Sequence, residues 1–348
     1  MIGSRSDMGL GLLRRVSGST DRLRQIASDA FLLRYHADCS SCMTEAVCKR
    51  HGVFQLVSDQ HVPHPMRHNK FIQQGYRPSD LTMALCFKSL FQLNNETINI
   101  WSHLIGLCYF TFCQLHDNFV TLPSNGAGWD DHVVCTLSLL CCQTCMLFSA
   151  CFHLFCCMSV KANRFWLQLD LMGISMSLLG VYLSGVYYAF HCFPGWLTMW
   201  LSVFALLSAV SLLAPFHPSY MKTSFCNRRV GYYHLLFGAV IVYGVVPTLH
   251  WIQLHGGWTS AHVARFLPNV YVVYLLTAVA FFFYASMVPE RWIPGWFDFI
   301  GWSHQWWHLF ILSAMVWWRY AGMELFIYLK ALPQPSCHHL VAISTYTQ

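Results

Sequence analysis

The chain has 348 residues, of which 55% are hydrophobic, 16% aromatic and only 10% charged, where soluble domains average about 25% charged. That composition excludes an ordinary soluble enzyme and describes a chain that crosses a membrane several times. The net charge of +6 is no nucleic-acid signal and no nucleic-acid partner is expected, because the cations flank apolar runs as they do on the inner side of a membrane protein.

In chain order, residues 1–78 read as a polar, partly disordered cytosolic region. Arg5, Arg14, Arg15, Arg22 and Arg24 interrupt its first thirty residues, which are not expected to act as a signal peptide. Leu23, Ile26, Phe31 and Leu33 fall near helical spacing, which suits an interfacial helix or a loosely ordered tail equally. Cys39, Cys42, Cys48 and His51 have the residue types of a zinc knuckle; reduced thiols or lipidation sites explain them as well. From Ser79 to Leu93 the pattern predicts a short amphipathic helix capped by Ser79 or Asp80.

Seven apolar runs follow, at roughly 98–116, 132–158, 165–190, 195–215, 230–252, 268–288 and 304–325, each long enough to cross a bilayer. His191 to Pro194 is a tight turn. The expected fold is therefore an all-α membrane protein, a seven-transmembrane helix bundle over 79–328 with a short outer or lumenal tail at 329–348. With the amino terminus inside, the inner loops hold Lys161, Arg164, Lys222, Arg228, Arg229 and Arg291. The outer side holds Arg265 and Lys330, with Arg319 as a snorkelling cation at that interface. Twelve further Lys or Arg precede the first span. The positive-inside rule then sets the amino terminus in the cytosol and the carboxyl terminus outside. The sequon Asn95-Glu96-Thr97 is expected to face the cytosol and stay unmodified. Cys192 and Cys337 are the two clearly outer cysteines and could pair. Most other cysteines sit in apolar runs, where a thiol acts as a small hydrophobe.

Orientation gives the polar residues a common depth. His304 and His308 lie four apart in the first two turns of the seventh span, about 40° apart around the axis, so both rings face one side. His153 lies about one turn from the inner end of the second span, and Asp170 about one turn into the third. Three imidazoles with an open position and a nearby carboxylate describe a water-bearing zinc site, and an intramembrane histidine without a partner is costly. Ser149, one turn before His153, and Ser303, beside His304, are placed to bond a water or a ligand. His103, His234 and His250 are expected to be packed or interfacial. Glu96 and Arg291 both fall on the inner side and could pair; the sequence does not fix their distance.

The chain resembles the progestin and adipoQ receptor family. The matching pieces are Gly75-Tyr76-Arg77, Phe87-Lys88-Ser89-Leu90-Phe91, the run Asn95-Glu96-Thr97-Ile98-Asn99-Ile100-Trp101-Ser102-His103-Leu104, Ser149-x-x-x-His153, Asp170 with Gly173-Ile174-Ser175, Pro289-Glu290-Arg291, Pro294-Gly295, and Ser303-His304-Gln305-x-x-His308. They cover roughly residues 75–320 in the family's order; the first ninety residues match least. The resemblance implies seven helices, an inside amino terminus, zinc on His153, His304 and His308, and Asp170 holding the zinc's water. It further implies a response to adiponectin or to a lipid or steroid ligand, and in some members ceramide hydrolysis. Pro247-Thr248-Leu249-His250-Trp251 and Val288-Pro289-Glu290-Arg291 look most like the branch that tethers a cytosolic Raf-type kinase at the Golgi membrane; the plasma membrane is the alternative location. Three functions stay open: a signalling receptor, a zinc-dependent intramembrane lipid amide hydrolase using Asp170 and Ser149, and a Golgi scaffold with a structural metal.

Overall fold

The computed structural model describes residues 47–48, 53–217, 224–225 and 230–332. Cys39, Cys42 and His51 lie outside the described residues, as do the side chain of Cys48, the stretch from Leu23 to Leu33, and Cys337. Two compact units are present, Met1–Gln55 and Leu56–Gln348. In the first, Val47–Cys48 pairs antiparallel with Val53–Phe54. Among its described residues the second is mainly helical, with an antiparallel bridge between Val57 and Tyr76 and a two-residue pair between Ser224–Phe225 and Val230–Gly231.

Helix α1 (Met83–Lys88) is shorter than the pattern predicts and starts later. Asp80 has φ +64°, a left-handed conformation that cannot feed a helix N-terminus. Thr82 caps instead, its Oγ1 accepting from the Leu85 amide at 3.4 Å. Its residues Leu85 and Cys86 are buried, while the apolar Met83 and Phe87 are exposed.

The long helices are α2 (Thr97–His116), α3 (Trp129–Phe155), α4 (Val160–Ala189), α5 (Pro194–Leu213), α6 (Tyr232–Tyr243), α7 (Val245–Leu254), α8 (Ala261–Ser286) and α9 (Ser303–Ala331). Among the described residues, five stretches are long and apolar enough to cross a membrane: Trp129–Phe155, Val160–Ala189, Pro194–Phe216, Tyr232–Leu254 and Ala261–Ser286. Their outward faces carry Leu206, Leu275 and Phe282, all exposed, as lipid-facing residues should be. Helix starts follow local chemistry. Ser159 Oγ accepts from the Ala162 amide at 3.0 Å before α4. Pro194 opens α5, where its missing N–H costs nothing.

The apolar run at 230–252 is not one straight helix. Gly244 separates α6 from α7, with Pro247 just beyond it unable to donate to the preceding turn. Neighbouring side chains bond the carbonyls there: Tyr182 OH donates to Val240 O at 2.6 Å, and Tyr274 OH donates at 3.1 Å to Ile241 O, which also accepts from the Gly244 amide. Glycine is required at 244 because a Cβ would lie 2.7 Å from Tyr182 Oη and 2.8 Å from Tyr274 Oη.

Helices α3 and α4 pack along their length. A Cβ at Gly180 would lie 2.7 Å from Ser138 O, so the small residue sets how closely the backbones approach, as is usual where lipid supplies no hydrophobic drive between helices. At the end of the bundle away from α1, Asp117 and Asp131 are paired from α9. Arg319 Nε donates to Asp117 Oδ2 at 3.0 Å and a second guanidinium nitrogen to Asp117 Oδ1. Lys330 Nζ lies 2.6 Å from Asp131 Oδ2. Arg319 is therefore an internal counter-ion rather than a snorkelling surface cation, because Asp117 is wholly buried and an unpaired buried carboxylate would be costly. Cys192 is disulfide-bonded.

Candidate metal centre

The centre lies where the end of α3 meets the start of α9. Helix α9 begins at Ser303, and its first turn is fixed by Glu290. That carboxylate is fully buried and accepts from the Ser303 amide at 2.7 Å, from Ser303 Oγ, and from Asn69 Nδ2 at 2.7 Å. A carboxylate on free helix-start amides is favourable in charge and in hydrogen bonding. Ser303 thus anchors the helix and does not reach the histidines. Gln305 adds a second clamp: its Oε1 accepts from Gly301 N at 2.6 Å, and its Nε2 donates to Phe299 O at 2.9 Å.

From that anchored turn His304 and His308 project together, ring centroids 4.7 Å apart. The last turn of α3 brings His153 to them, its centroid 5.2 Å from His304 and 4.7 Å from His308. Arg77 holds that turn of α3, donating to the carbonyls of His153 and, at 2.8 Å, Leu154; a cation on the last carbonyls also complements the helix dipole.

One potential ligand atom from each of the three imidazoles lies within 4.8 Å of the others. His153 Nε2 and His304 Nε2 are 3.4 Å apart. Two nitrogens bound at about 2.1 Å to one tetrahedral ion would be separated by about 3.4 Å. His308 is 1% exposed, and its Nδ1 has no hydrogen-bond partner, an orphaned atom that a dry interior does not tolerate without a purpose. The residues fit a small divalent ion with imidazole preference, and the donor set suits zinc.

The residue that sequence reasoning misses is Glu96. It does not face Arg291. Its Oε2 sits 2.8 Å from His153 Nδ1 and accepts from Asn99 Nδ2 at 2.6 Å. Burial opposes ionisation of this carboxyl, but attraction to His153 and the hydrogen bond between them outweigh it and hold the group below the usual carboxylate range. A carboxylate on one imidazole nitrogen fixes the tautomer and turns the other nitrogen to a metal. The signal available beforehand was the lone acidic residue in the Asn95-to-Leu104 run. His103 on α2 backs the site, its ring 3.9 Å from that of His308 and both its nitrogens without a partner.

Asp170 on α4 is within hydrogen-bonding contact of Ser149 and in electrostatic range of His153. Ser149 is 3% exposed and Asp170 half-buried. His250 accepts from Trp200 Nε1 at 3.1 Å and His234 from Gly231 N at 2.9 Å; both are packed residues, as expected.

The haemolysin-III-related family model matches residues 91–319, which span α2 through most of α9. Progestin and adipoQ receptor family member 3 of human and of mouse are each 41% identical over 283 residues, covering 81% of this chain and 89% of theirs. Heptahelical transmembrane protein 1 of Arabidopsis thaliana is 31% identical over 282 residues, 78% of this chain and 81% of its own. The adiponectin receptor protein of Drosophila melanogaster is 31% identical over 255 residues, 73% of this chain and 56% of its own. With its helices, its converging histidines and these matches, the chain belongs to the haemolysin-III-related family that includes the progestin and adipoQ receptors.

Proposed function

We propose that the chain is a seven-span, receptor-like signalling protein whose bundle holds one zinc ion on His153, His304 and His308 near the inner leaflet. The observation that carries this reading is the meeting of three imidazoles from α3 and α9, with Glu96 orienting one of them. When bound there, zinc supplies Lewis acidity toward a water or a ligand carbonyl. The chain's own residues do the rest. Glu96 holds the His153 tautomer, Glu290 and Arg77 fix the two helix ends, and Asp170 with Ser149 presents polar groups to the bundle interior. A lipid or steroid ligand that prefers one arrangement of α3 against α9 would shift the population of states read by a cytosolic partner. Names that speak of adiponectin and progestin receptors among the relatives support a receptor. Residues 1–78 and 329–348 are the cytosolic and outer flanks in this reading.

Helices α2 and α9 complete the span count at seven, which places the two ends of the chain on opposite sides. Epitope tags at both ends, probed with selective permeabilisation, are expected to show the amino terminus cytosolic; an externally accessible amino terminus would overturn the inner-leaflet placement. Similarity to family member 3 supports a Golgi location and a kinase of the Raf type as partner. Imaging at native level is expected to show a Golgi pool, and a signal confined to the plasma membrane would remove that part.

A second reading is favoured by one observation, the contact of Asp170 with Ser149 beside His153: a zinc-dependent hydrolase of lipid amides such as ceramide. Metal analysis of the purified chain, with a ceramide-hydrolysis assay on the same sample, tests both. One zinc per chain without turnover supports the receptor. Turnover moves the assignment to the hydrolase, and a chain without metal sinks both.

A further inference from the structure

Arg77 is 3% exposed, and no carboxylate lies within 4.0 Å of it among the described residues. Its hydrogen bonds go to the carbonyls of His153 and Leu154, to Ser89 Oγ at 3.1 Å and to Cys156 Sγ at 3.6 Å. A buried guanidinium needs compensating negative charge; Glu96 is in electrostatic range of it, as are Cys156 and Cys157. Beside it Cys86 Sγ, on α1, is 3.7 Å from Cys157 Sγ, in the turn after α3. Both are buried, at 0% and 6% exposure.

We propose that Cys157 and Cys86 are a redox-modified thiol pair, in which Cys157 is the attacking thiolate that compensates Arg77 and Cys86 the thiol that closes a disulfide with it. The two sulfurs share a hydrogen bond in which either can donate; Arg77, which donates to Cys156 Sγ and to the Leu154 carbonyl that Cys157 Sγ also contacts at 3.9 Å, favours the thiolate at Cys157. The two sulfurs thus divide the roles of nucleophile and proton donor. The oxidant is hydrogen peroxide, since burial excludes a bulky disulfide such as oxidised glutathione. The Cys157 thiolate attacks one peroxide oxygen; the O–O bond breaks, Cys157 becomes a sulfenic acid, and hydroxide leaves and takes up a proton to become water. Cys86 then attacks the sulfenic sulfur. The S–S bond forms, the S–O bond breaks, and the second water carries away the Cys86 proton. Two thiols lose two electrons and two protons, and one peroxide becomes two waters. The sulfurs close from 3.7 Å to about 2.05 Å. The product tethers α1 to the end of α3 and removes the negative charge beside Arg77, the side chain that holds the carbonyls of the His153 turn. The inference is independent of whether the histidines carry metal.

The test treats the purified full-length chain with hydrogen peroxide at neutral pH, alkylates it under denaturing conditions, and maps thiols by mass spectrometry without reduction. The expected result is a Cys86–Cys157 linked peptide, with at least a tenfold loss of both alkylated forms while Cys142 and Cys145, buried within α3, stay alkylated. Oxidised glutathione is expected to leave the pair free. In Cys86→Ser, Cys157 is expected to accumulate as a dimedone-reactive sulfenic acid. The wild-type map stands without that variant. Peroxide that leaves Cys157 as unreacted as Cys142, or that links Cys157 to Cys156 instead of Cys86, would overturn the proposal.

Discussion

Alanine at His153, His304 and His308 together is expected to abolish zinc binding, and each single replacement to lower both occupancy and thermal stability. The reason is linkage: an ion that binds the folded bundle and not the unfolded chain contributes its binding free energy to folding. Each imidazole is one of three candidate ligands, and His304 and His153 present nitrogens 3.4 Å apart, the spacing two ligands of a tetrahedral ion would have. Glu96→Gln is the more discriminating variant. The amide keeps the volume of the carboxylate and can accept from His153 Nδ1, but it loses the negative charge that makes the ring a better donor. Zinc affinity is expected to fall about 10–100-fold, the usual range for removing a carboxylate behind a metal-bound histidine, with the helical content unchanged. Chelator competition followed by metal analysis reads both effects. Full zinc in the triple alanine variant would show that the metal, if present, sits elsewhere, and the cluster at Cys39, Cys42, Cys48 and His51 would be examined next. Unchanged affinity in Glu96→Gln would show that the short Glu96–His153 contact does not tune the site.

Why Glu96 is hidden in the sequence while His304 and His308 are legible follows from how each is placed. The two histidines share one helix, and helical periodicity alone puts their rings together. His153 is legible beside them once the loop charges are read by the positive-inside rule, which gives it the same expected depth. Glu96 reaches His153 across 57 residues of chain, through the N-terminus of α2, and neither periodicity nor charge patterning determines that approach. The same holds for Asp117 with Arg319. Residues 117–131 hold Asp117, Asp130 and Asp131 and no Lys or Arg, which reads as a polar outer surface, yet Asp117 turns inward to meet Arg319, 202 residues along the chain. The helix at 230–252 shows the other limit. Its hydropathy is continuous, and hydropathy does not register that Gly244 and Pro247 break the hydrogen-bond ladder or that Tyr182 and Tyr274 bond the carbonyls there. Helices α2 and α9 fall outside the five apolar stretches because polar residues lower their hydropathy: Asn99, His103, Ser303, His304, Gln305 and His308 around the candidate site, and Arg319 at the other end of the bundle. The polar residues that dilute the membrane signal are the ones that build the interior.

Asp170→Asn separates the receptor from the hydrolase. The asparagine keeps the size of the side chain and its contact with Ser149, so the local packing and the zinc site are expected to survive. What it removes is a carboxylate that could accept a proton from a water and pass it on. General-base assistance of this kind is worth about a hundredfold to ten-thousandfold in rate. If the chain hydrolyses lipid amides, Asp170→Asn is therefore expected to bind zinc normally and to lose turnover by about a hundredfold or more. If the metal is structural, the same variant is expected to leave zinc content and signalling nearly intact, because a carboxylate that only orients its neighbours can be replaced by an amide of the same shape. Ser149→Ala sharpens the comparison. It removes the hydroxyl that contacts Asp170 while leaving the carboxylate, so a hydrolase would lose less in Ser149→Ala than in Asp170→Asn, and a receptor would respond to neither through a catalytic step. Ceramides of several chain lengths are the substrates to use, with zinc measured on the same preparation. Zinc-loaded wild type without detectable turnover across that series would end the hydrolase reading and leave Asp170 as a polar contact of the bundle interior.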